Sequence, residues 1–244
     1  KIMRWAMKTI GIIGGMGPLA TVHLFERIVL RTKAEKDQEH IRVLIDSNTN
    51  IPDRTKAILG NGKSPVKELV NSAKILENGG ADFLIMPCNT AHYFIEEIKK
   101  NISIPFINMI EESVKFTYDK YGKDAVVGIM ATDGTIKTKI YENYYAELGI
   151  KTVVPIKTQE KIMKFIYDVI KKGNYDAGTD LLFECVDELR ELGATAFLLG
   201  CTELSSAQYL YKFKGSFINP MEVLTERAIK TSIGLIKLPL NLYR

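Results

Sequence analysis

The 244 residues predict an α/β protein of two similar lobes, each a parallel sheet flanked by helices, related by pseudo-twofold symmetry with the active site in the cleft. Three observations lead there. Short apolar, β-branched runs alternate with longer amphipathic stretches, the alternation spans nearly the whole chain, and landmarks of the first half return in the second.

The strands read as near-continuous apolar runs, the pattern of parallel strands buried on both faces. They are "KTIGII" (8–13), "IRVLID" (41–46), "ADFLIM" (81–86), "IPFIN" (104–108), "AVVGIM" (125–130), "TAFLLG" (195–200) and "SFIN" (216–219). Helical periodicity fills intervals between them, at 64–78, 90–100, 110–120, 138–148, 158–172, 177–192 and 221–235. Pro18 stands where a helix accepts proline, at its first position after the glycine turn of "GGMG".

The repeat is specific. Aligning Cys88 with Cys201, an offset of 113, puts Gly80-Ala81 on Gly193-Ala194 and Leu76 on Leu189. Upstream, "GIIGGMGPLAT" (11–21) aligns with "GIMATDGTIKT" (128–138) at an offset of 117, matching Gly11 with Gly128, Gly17 with Gly134 and Thr21 with Thr138. The span from first glycine to cysteine is 77 residues in one half and 73 in the other. The expected division is 1–112 with 216–244 as the first lobe, carrying Cys88, and 113–215 as the second, carrying Cys201.

With 46% hydrophobic and 25% charged residues, the composition is that of an ordinary globular protein. The formal charge, 33 − 29 = +4, comes without a Lys/Arg block; it suits a small anionic substrate and argues against nucleic acid. No apolar run approaches the roughly 18 residues that span a bilayer, which argues against a membrane role. The start, "KIMRWAMKTIGIIGG", is charged and then apolar, but its apolar part is short and glycine-broken, a first strand rather than a leader. Three cysteines make no disulfide framework in a chain this long and point to a reducing cytoplasm.

Sites of open α/β sheets lie beyond the carboxyl ends of the strands, which assigns the matched loops 14–18, 88–92, 131–135 and 201–205 to the cleft. Cys88 in "FLIMPCNTAH" and Cys201 in "FLLGCTEL" each come seven residues after an alanine that opens a strand. A cysteine between a strand end and a helix N-terminus has its thiolate stabilised by backbone N–H groups and the helix dipole. Asn89, Thr90 and Thr202 supply short polar residues of the capping type. One thiolate can remove a proton from one face of a carbon while a thiol returns one to the other face, inverting the carbon with no metal or cofactor formally required. A lone cysteine at a strand end is ordinarily a small buried hydrophobe; the matched pair is what favours chemistry. Cys185, among Leu181, Leu182, Val186 and Leu189, is explained by core packing.

Other features stay open at this level. His92, one helical turn after Cys88, admits a nucleophile–base pair, as in an amidase or thiol hydrolase, or two ligands of a metal. The first leaves Cys201 unexplained, and the second finds only Cys201 and Glu203 to complete a site. "GMGPLA" (15–20) satisfies the dinucleotide pattern, yet Asp46 lies 29 residues beyond Gly17, where about 20 from the motif is expected, so a nucleotide-dependent oxidoreductase is a weak alternative. The same amides can receive a carboxylate. In "DSNTNIPDRTK" (46–56), Arg54 could grip a carboxylate bidentately or pair with Asp53 at the surface. Lys171 in "IYDVIKKGN" reads as a helix-end lysine favoured by the dipole, with nothing in the spacing to prefer it over Lys172. A non-catalytic sensor that binds a small acid is the alternative from outside enzymology.

Taken together, "GGMGPLAT", "NIPDR", "GADFLIMPCNTAH", "GCTE" and "INPMEVL" resemble the cofactor-independent aspartate/glutamate racemase family, most closely its aspartate racemases. The resemblance runs from about Met7 to about residue 235. It implies two α/β lobes, a homodimer and no pyridoxal phosphate. It implies that Cys88 and Cys201 are the catalytic acid/base pair, that Arg54 binds a substrate carboxylate and that Lys171 has a similar anion-binding role. Met16, Gly17, Asn50, Asn89, Thr90, Thr132, Thr135 and Thr202 occupy motif positions that line the family's pocket. Some members replace one of the two cysteines; this sequence keeps both. Six residues before Met7 and the terminal "KLPLNLYR" fall outside the motifs. The expected activity is interconversion of L- and D-aspartate, with a broad-specificity or glutamate racemase, or an isomerase of a small dicarboxylate, as alternatives.

Overall fold

The computed structural model describes residues 7–235; residues 1–6 and 236–244, which include "KLPLNLYR", lie outside the described residues. The strands are β1 (Ile10–Gly14), β2 (Val43–Ser47), β3 (Phe83–Ile85), β4 (Val126–Ala131), β5 (Lys151–Val153), β6 (Ala196–Gly200) and β7 (Phe217–Ile218). The helices are α1 (Pro18–Arg31), α2 (Arg54–Ile58), α3 (Val66–Asn78), α4 (Ile95–Lys99), α5 (Met109–Tyr121) and α6 (Asp133–Thr138). They continue with α7 (Ile140–Glu147), α8 (Gln159–Lys164), α9 (Asp180–Glu191), α10 (Thr202–Tyr211) and α11 (Pro220–Ser232).

Two compact units result. One takes the described parts of Lys1–Pro52, Ser64–Met109 and Met221–Arg244; the other takes Asp53–Lys63 and Ile110–Pro220. The boundaries differ from the expected ones at three places, the slightest being residues 110–112, which join the second unit. β7 hydrogen-bonds to β6, so residues 216–220 fall in the second unit. Residues 53–63 also join the second unit: a Cβ added at Gly134 in α6 would come within 2.9 Å of Thr55 Cα, so α2 seats on α6 because that position is glycine.

The first unit holds a parallel sheet in the order β2-β1-β3, with Ile10 opposite both Val43 and Phe83. Every residue of β1 is buried, as expected of a central parallel strand. Alternation sends Ile10, Ile12, Phe83 and Ile85 to one face, where Leu24 and Ile28 of α1 and Leu224 of α11 cover them. Ile13, Leu84 and Met86 face the other way, under Leu69, Ala73 and Leu76 of α3. Each such side chain contributes roughly 1.5–3 kcal/mol of burial.

The second unit repeats the order as β5-β4-β6, with β7 added beyond β6, all parallel. Val127, Ile129 and Leu198 meet Tyr141 and Tyr145 of α7, while Met130 and Leu199 meet Leu182, Val186 and Leu189 of α9. The apolar spacing 182, 185, 186, 189 is the stripe that an amphipathic helix turns to its core.

The repeated landmarks have a physical basis. In β1, a Cβ at Gly11 would meet Ala81 and Leu76; in β4, a Cβ at Gly128 would meet Ala194 and Leu189, the aligned residues. Each glycine lets a helix lie close on its strand. α3 and α9 then end alike: Gly80 and Gly193 have φ of 91° and 92°, Ala81 N–H bonds to Leu76 O at 3.1 Å, and Ala194 N–H to Leu189 O at 2.9 Å. This is a Schellman stop, which needs the left-handed conformation that glycine adopts at no steric cost.

Four local features differ from the sequence reading. "IPFIN" forms one bridge, Phe106 to Leu84, rather than a strand, since Pro105 has no N–H for a ladder. β5 is a three-residue edge strand too short and exposed to announce itself. The helix expected at 138–148 forms as α7, and left-handed Lys139 (φ 50°) sets it off from α6, which the sequence reading did not include. The helix expected at 158–172 winds into a π-helical turn over Phe165–Ile170, where Lys171 N–H reaches back five residues to Ile166 O.

Candidate active site

In the first unit the candidate residues sit past the carboxyl ends of β1, β2 and β3. β1 leads to buried Met16 and to Gly17, which caps α1 with Pro18 at its first position. β2 leads to Asn48, whose side-chain amide donates to Ser72 at 3.2 Å and whose Oδ1 accepts the Asn50 N–H at 3.0 Å; Asn50 itself is exposed. β3 leads through Met86 and Pro87 to Cys88, Asn89 and Thr90, all buried.

Cys88 is held by its backbone. Its N–H donates to Met86 O at 2.9 Å, and its carbonyl accepts from His92 Nδ1 at 2.8 Å. His92 Nε2 accepts the Met109 N–H at 3.1 Å, so both ring nitrogens are occupied and the tautomer is set. Burial lowers the His92 pKa to about 4, against the Cys88 carbonyl, which raises it. This neutral ring engages backbone on both edges, which removes the reading of His92 as a base or metal ligand. Among the described residues, no three His, Cys, Asp or Glu side chains cluster so as to hold a metal.

In the second unit Cys201 follows β6 directly and is the N-cap residue of the ten-residue helix α10. Its carbonyl accepts from Leu204 N–H and Ser205 N–H, which fixes the start of the helix. Its Sγ donates to Glu203 Oε2 at 2.8 Å, and Glu203 Oε1 pairs with Lys171 Nζ at 2.7 Å. Burial and then the Glu203 charge push the Cys201 thiol well above its usual range, against the pull of Lys171. Thr202 is buried beside it. Thr132 caps α6, accepting the Thr135 N–H at 3.4 Å, with the two hydroxyls 3.2 Å apart.

Lys171 and Arg54 belong to the same unit. Lys171 Nζ lies 5.4 Å from the centre of the Tyr167 ring, one turn back, a cation–π distance. Tyr167 Oη donates to Asp53 Oδ2 at 3.2 Å, and Asp53 Oδ1 caps α2 by accepting the Lys56 N–H at 2.8 Å. Arg54 is the first residue of that helix. The Asp53 carboxylate is thus committed to the cap and to Tyr167.

A model of the Asp/Glu/hydantoin racemase family matches residues 13–228. The chain belongs to that family. Among solved structures, this racemase is similar to the aspartate racemase of Picrophilus torridus, with 32% identity, a TM-score of 0.81, and coverage of 92% of this chain and 94% of that one. Among curated proteins, it is 27% identical to a broad specificity amino-acid racemase of Bacillus subtilis, over 81% of this chain and 86% of that protein. A glutamate racemase of Persephonella marina matches at 29% identity, over 56% of this chain and 52% of that protein.

Two residues of the candidate site escaped sequence reasoning. Glu203 was visible only as a metal candidate, although an acid in the first turn of a helix is a recognisable signal. Tyr167 stands four residues before Lys171, a spacing that brings side chains together on any helix.

Proposed function

We propose that the protein is a cofactor-independent racemase that interconverts L- and D-aspartate, with Cys88 and Cys201 serving opposite faces of the substrate Cα. The supporting observation is the matched placement of the two thiols, each past the carboxyl end of the strand that pairs with the glycine-bearing central strand of its own sheet. One sulfur removes the Cα proton and the other supplies a proton from the opposite side, leaving inverted configuration. Arg54 and Lys171 bind the two carboxylates, which selects acidic over uncharged amino acids. Neutralising the α-carboxylate also stabilises charge developing at Cα, a preorganised electrostatic contribution. Met16, Gly17, Asn50, Asn89, Thr90, Thr132, Thr135 and Thr202 line the substrate pocket in this reading.

The test is optical rotation of L-aspartate against time, with EDTA present and no cofactor added. Decay to zero rotation is expected; unchanged rotation sinks the assignment. A second reading, broad specificity, is favoured by the Bacillus subtilis relative that aligns over most of its length. Deuterium incorporation at Cα across a panel of amino acids in heavy water separates the two, because exchange confined to neutral amino acids excludes aspartate.

The working form proposed is a cytoplasmic homodimer. The exposed stripe of Val22, Phe25 and Val29 on α1 and the three free cysteines support it. Sedimentation velocity checks the dimer and cell fractionation the compartment.

A further inference from the structure

Glu203 sits on the first turn of α10, 6% exposed, with its two carboxylate oxygens differently engaged. Oε2 receives the Cys201 Sγ–H at 2.8 Å, and Oε1 meets Lys171 Nζ at 2.7 Å. A buried carboxylate needs such partners, because desolvation without them costs several kcal/mol. The arrangement is therefore an acceptor held in place by a cation and aimed at a thiol. The other titratable groups facing Cys201 are Tyr141 from α7 and Tyr167 from the π-helical turn. Burial raises both phenols, Tyr167 to about 12, so neither carries charge near neutral pH. Asp53 stands beyond Tyr167, bonded to its hydroxyl.

We propose that Glu203 is a positioning residue that keeps Cys201 protonated in the substrate-free protein, with Lys171 fixing the carboxylate that does so. The inference rests on the two-thiol reading above and assigns its starting state. The Cα proton goes first to Cys88 sulfur, and Cys201 delivers its own proton to the opposite face of Cα. Cys88 ends as the thiol and Cys201 as the thiolate, and exchange with solvent restores the starting state. Glu203 accepts the thiol hydrogen bond in the starting state, releases it as the S–H turns to Cα, and takes no proton. The three N–H donors of the Lys171 ammonium allow it to keep Glu203 while gripping a substrate carboxylate.

The experiment is a pH titration of the protein with 13C at cysteine Cβ, read by NMR and assigned with Cys88→Ala and Cys185→Ala variants. In the parent, Cys201 keeps its thiol signal well past the ordinary cysteine midpoint of about 8.5. Glu203→Gln lowers the Cys201 midpoint by about 1–2 units, the size expected on removing a neighbouring charge. Glu203→Asp retains the charge and holds the midpoint near that of the parent, whereas Lys171→Met keeps the thiol signal to at least as high a pH. Ordinary titration of Cys201 in the parent, or a Glu203→Gln midpoint equal to that of the parent, overturns the proposal, and the first of these can overturn it even if a variant does not fold. With aspartate as substrate, the alkaline limb of kcat/KM falls in Glu203→Gln together with the NMR midpoint. The titration needs no turnover, so a protein that fails to racemise aspartate can still pass it, and the two ideas fail separately.

Discussion

Cys201 leaves β6 directly into an α-helix, whereas Cys88 leaves β3 through Met86 and Pro87 into a 3-10 turn, Thr90–Phe94. The strand order beneath them is the same, and so are the helix stops and the glycine seams. The means of holding each cysteine differ. In the second unit the first turn of α10 fixes the Cys201 backbone and Glu203 accepts a hydrogen bond from its thiol. In the first, a buried neutral histidine holds the Cys88 carbonyl, and among the described residues no carboxylate hydrogen-bonds to its thiol. A common scaffold thus delivers two sulfurs to equivalent positions while local residues decide the chemistry of each.

The largest effect should come from removing either sulfur. Cys88→Ala and Cys201→Ala are each expected to lower aspartate racemisation by about 10³-fold or more, since a positioned acid or base contributes about 10²–10⁴ and both steps are lost together. Either variant keeping a tenth of the parent rate would break the two-thiol reading. A β-chlorinated aspartate sharpens the comparison. Elimination needs one base to take the Cα proton as chloride leaves Cβ, so each variant should process one enantiomer, and not the same one.

What the sequence made legible, and what it did not, follows the same divide. The scaffold was readable because its constraints are steric and periodic. Gly11 and Gly128 have to be small where Leu76 and Leu189 descend on them, and Gly80 and Gly193 have to turn left-handed. Such demands leave residue types at fixed spacing. The cysteines were readable for the same reason, being tied to those landmarks. Glu203 and Tyr167 were not, because a carboxylate two residues past a cysteine can face solvent equally well. Lys171, which pairs with that carboxylate, follows a π-helical turn that the periodicity did not announce. Nor could spacing assign Arg54 to the second unit, since its segment is flanked in sequence by residues of the first.

A second, smaller effect concerns His92. The folded protein keeps this ring neutral down to about pH 4, whereas the unfolded chain takes up the proton near 6.5. Above pH 6.5 neither state is protonated and the site carries no penalty. Between 6.5 and 4 the unfolded state gains the proton first, so stability falls, by about 3 kcal/mol at the lower end. Urea midpoints of the parent should therefore drop between pH 7.5 and 5. His92→Asn has no ring to titrate and should lose that slope, at a cost at neutral pH of about 1–3 kcal/mol for buried partners left unmet. The corresponding position in the second unit is Ser205, and Ser205→Ala should leave the slope as it is. A slope retained in His92→Asn would place the proton uptake on another group.

The smallest effect tests how alike the two seams are. Alanine at 128 would bring its Cβ to 3.1 Å from Ala194 and Leu189, tight contacts that a shift of a few tenths of an ångström relieves. Alanine at 11 would come within 2.5 Å of Leu84 Cδ2 and 2.9 Å of Ala81 Cβ. Leu84 is buried but has rotamers to try; the Ala81 Cβ moves only with its backbone, which the Schellman stop of α3 pins. Overpacking of that kind costs about 1–3 kcal/mol, so Gly11→Ala should fall near the top of the range and Gly128→Ala near or below its bottom. Amide hydrogen exchange reads each unit by itself, because protection reports local opening. Gly11→Ala should speed exchange in β1 and β3 markedly, and Gly128→Ala should speed it in β4 and β6 only slightly. Equal acceleration would mean that the first seam can relax as readily as the second, and the Ala81 backbone would then be less rigid than its two hydrogen-bonded turns require.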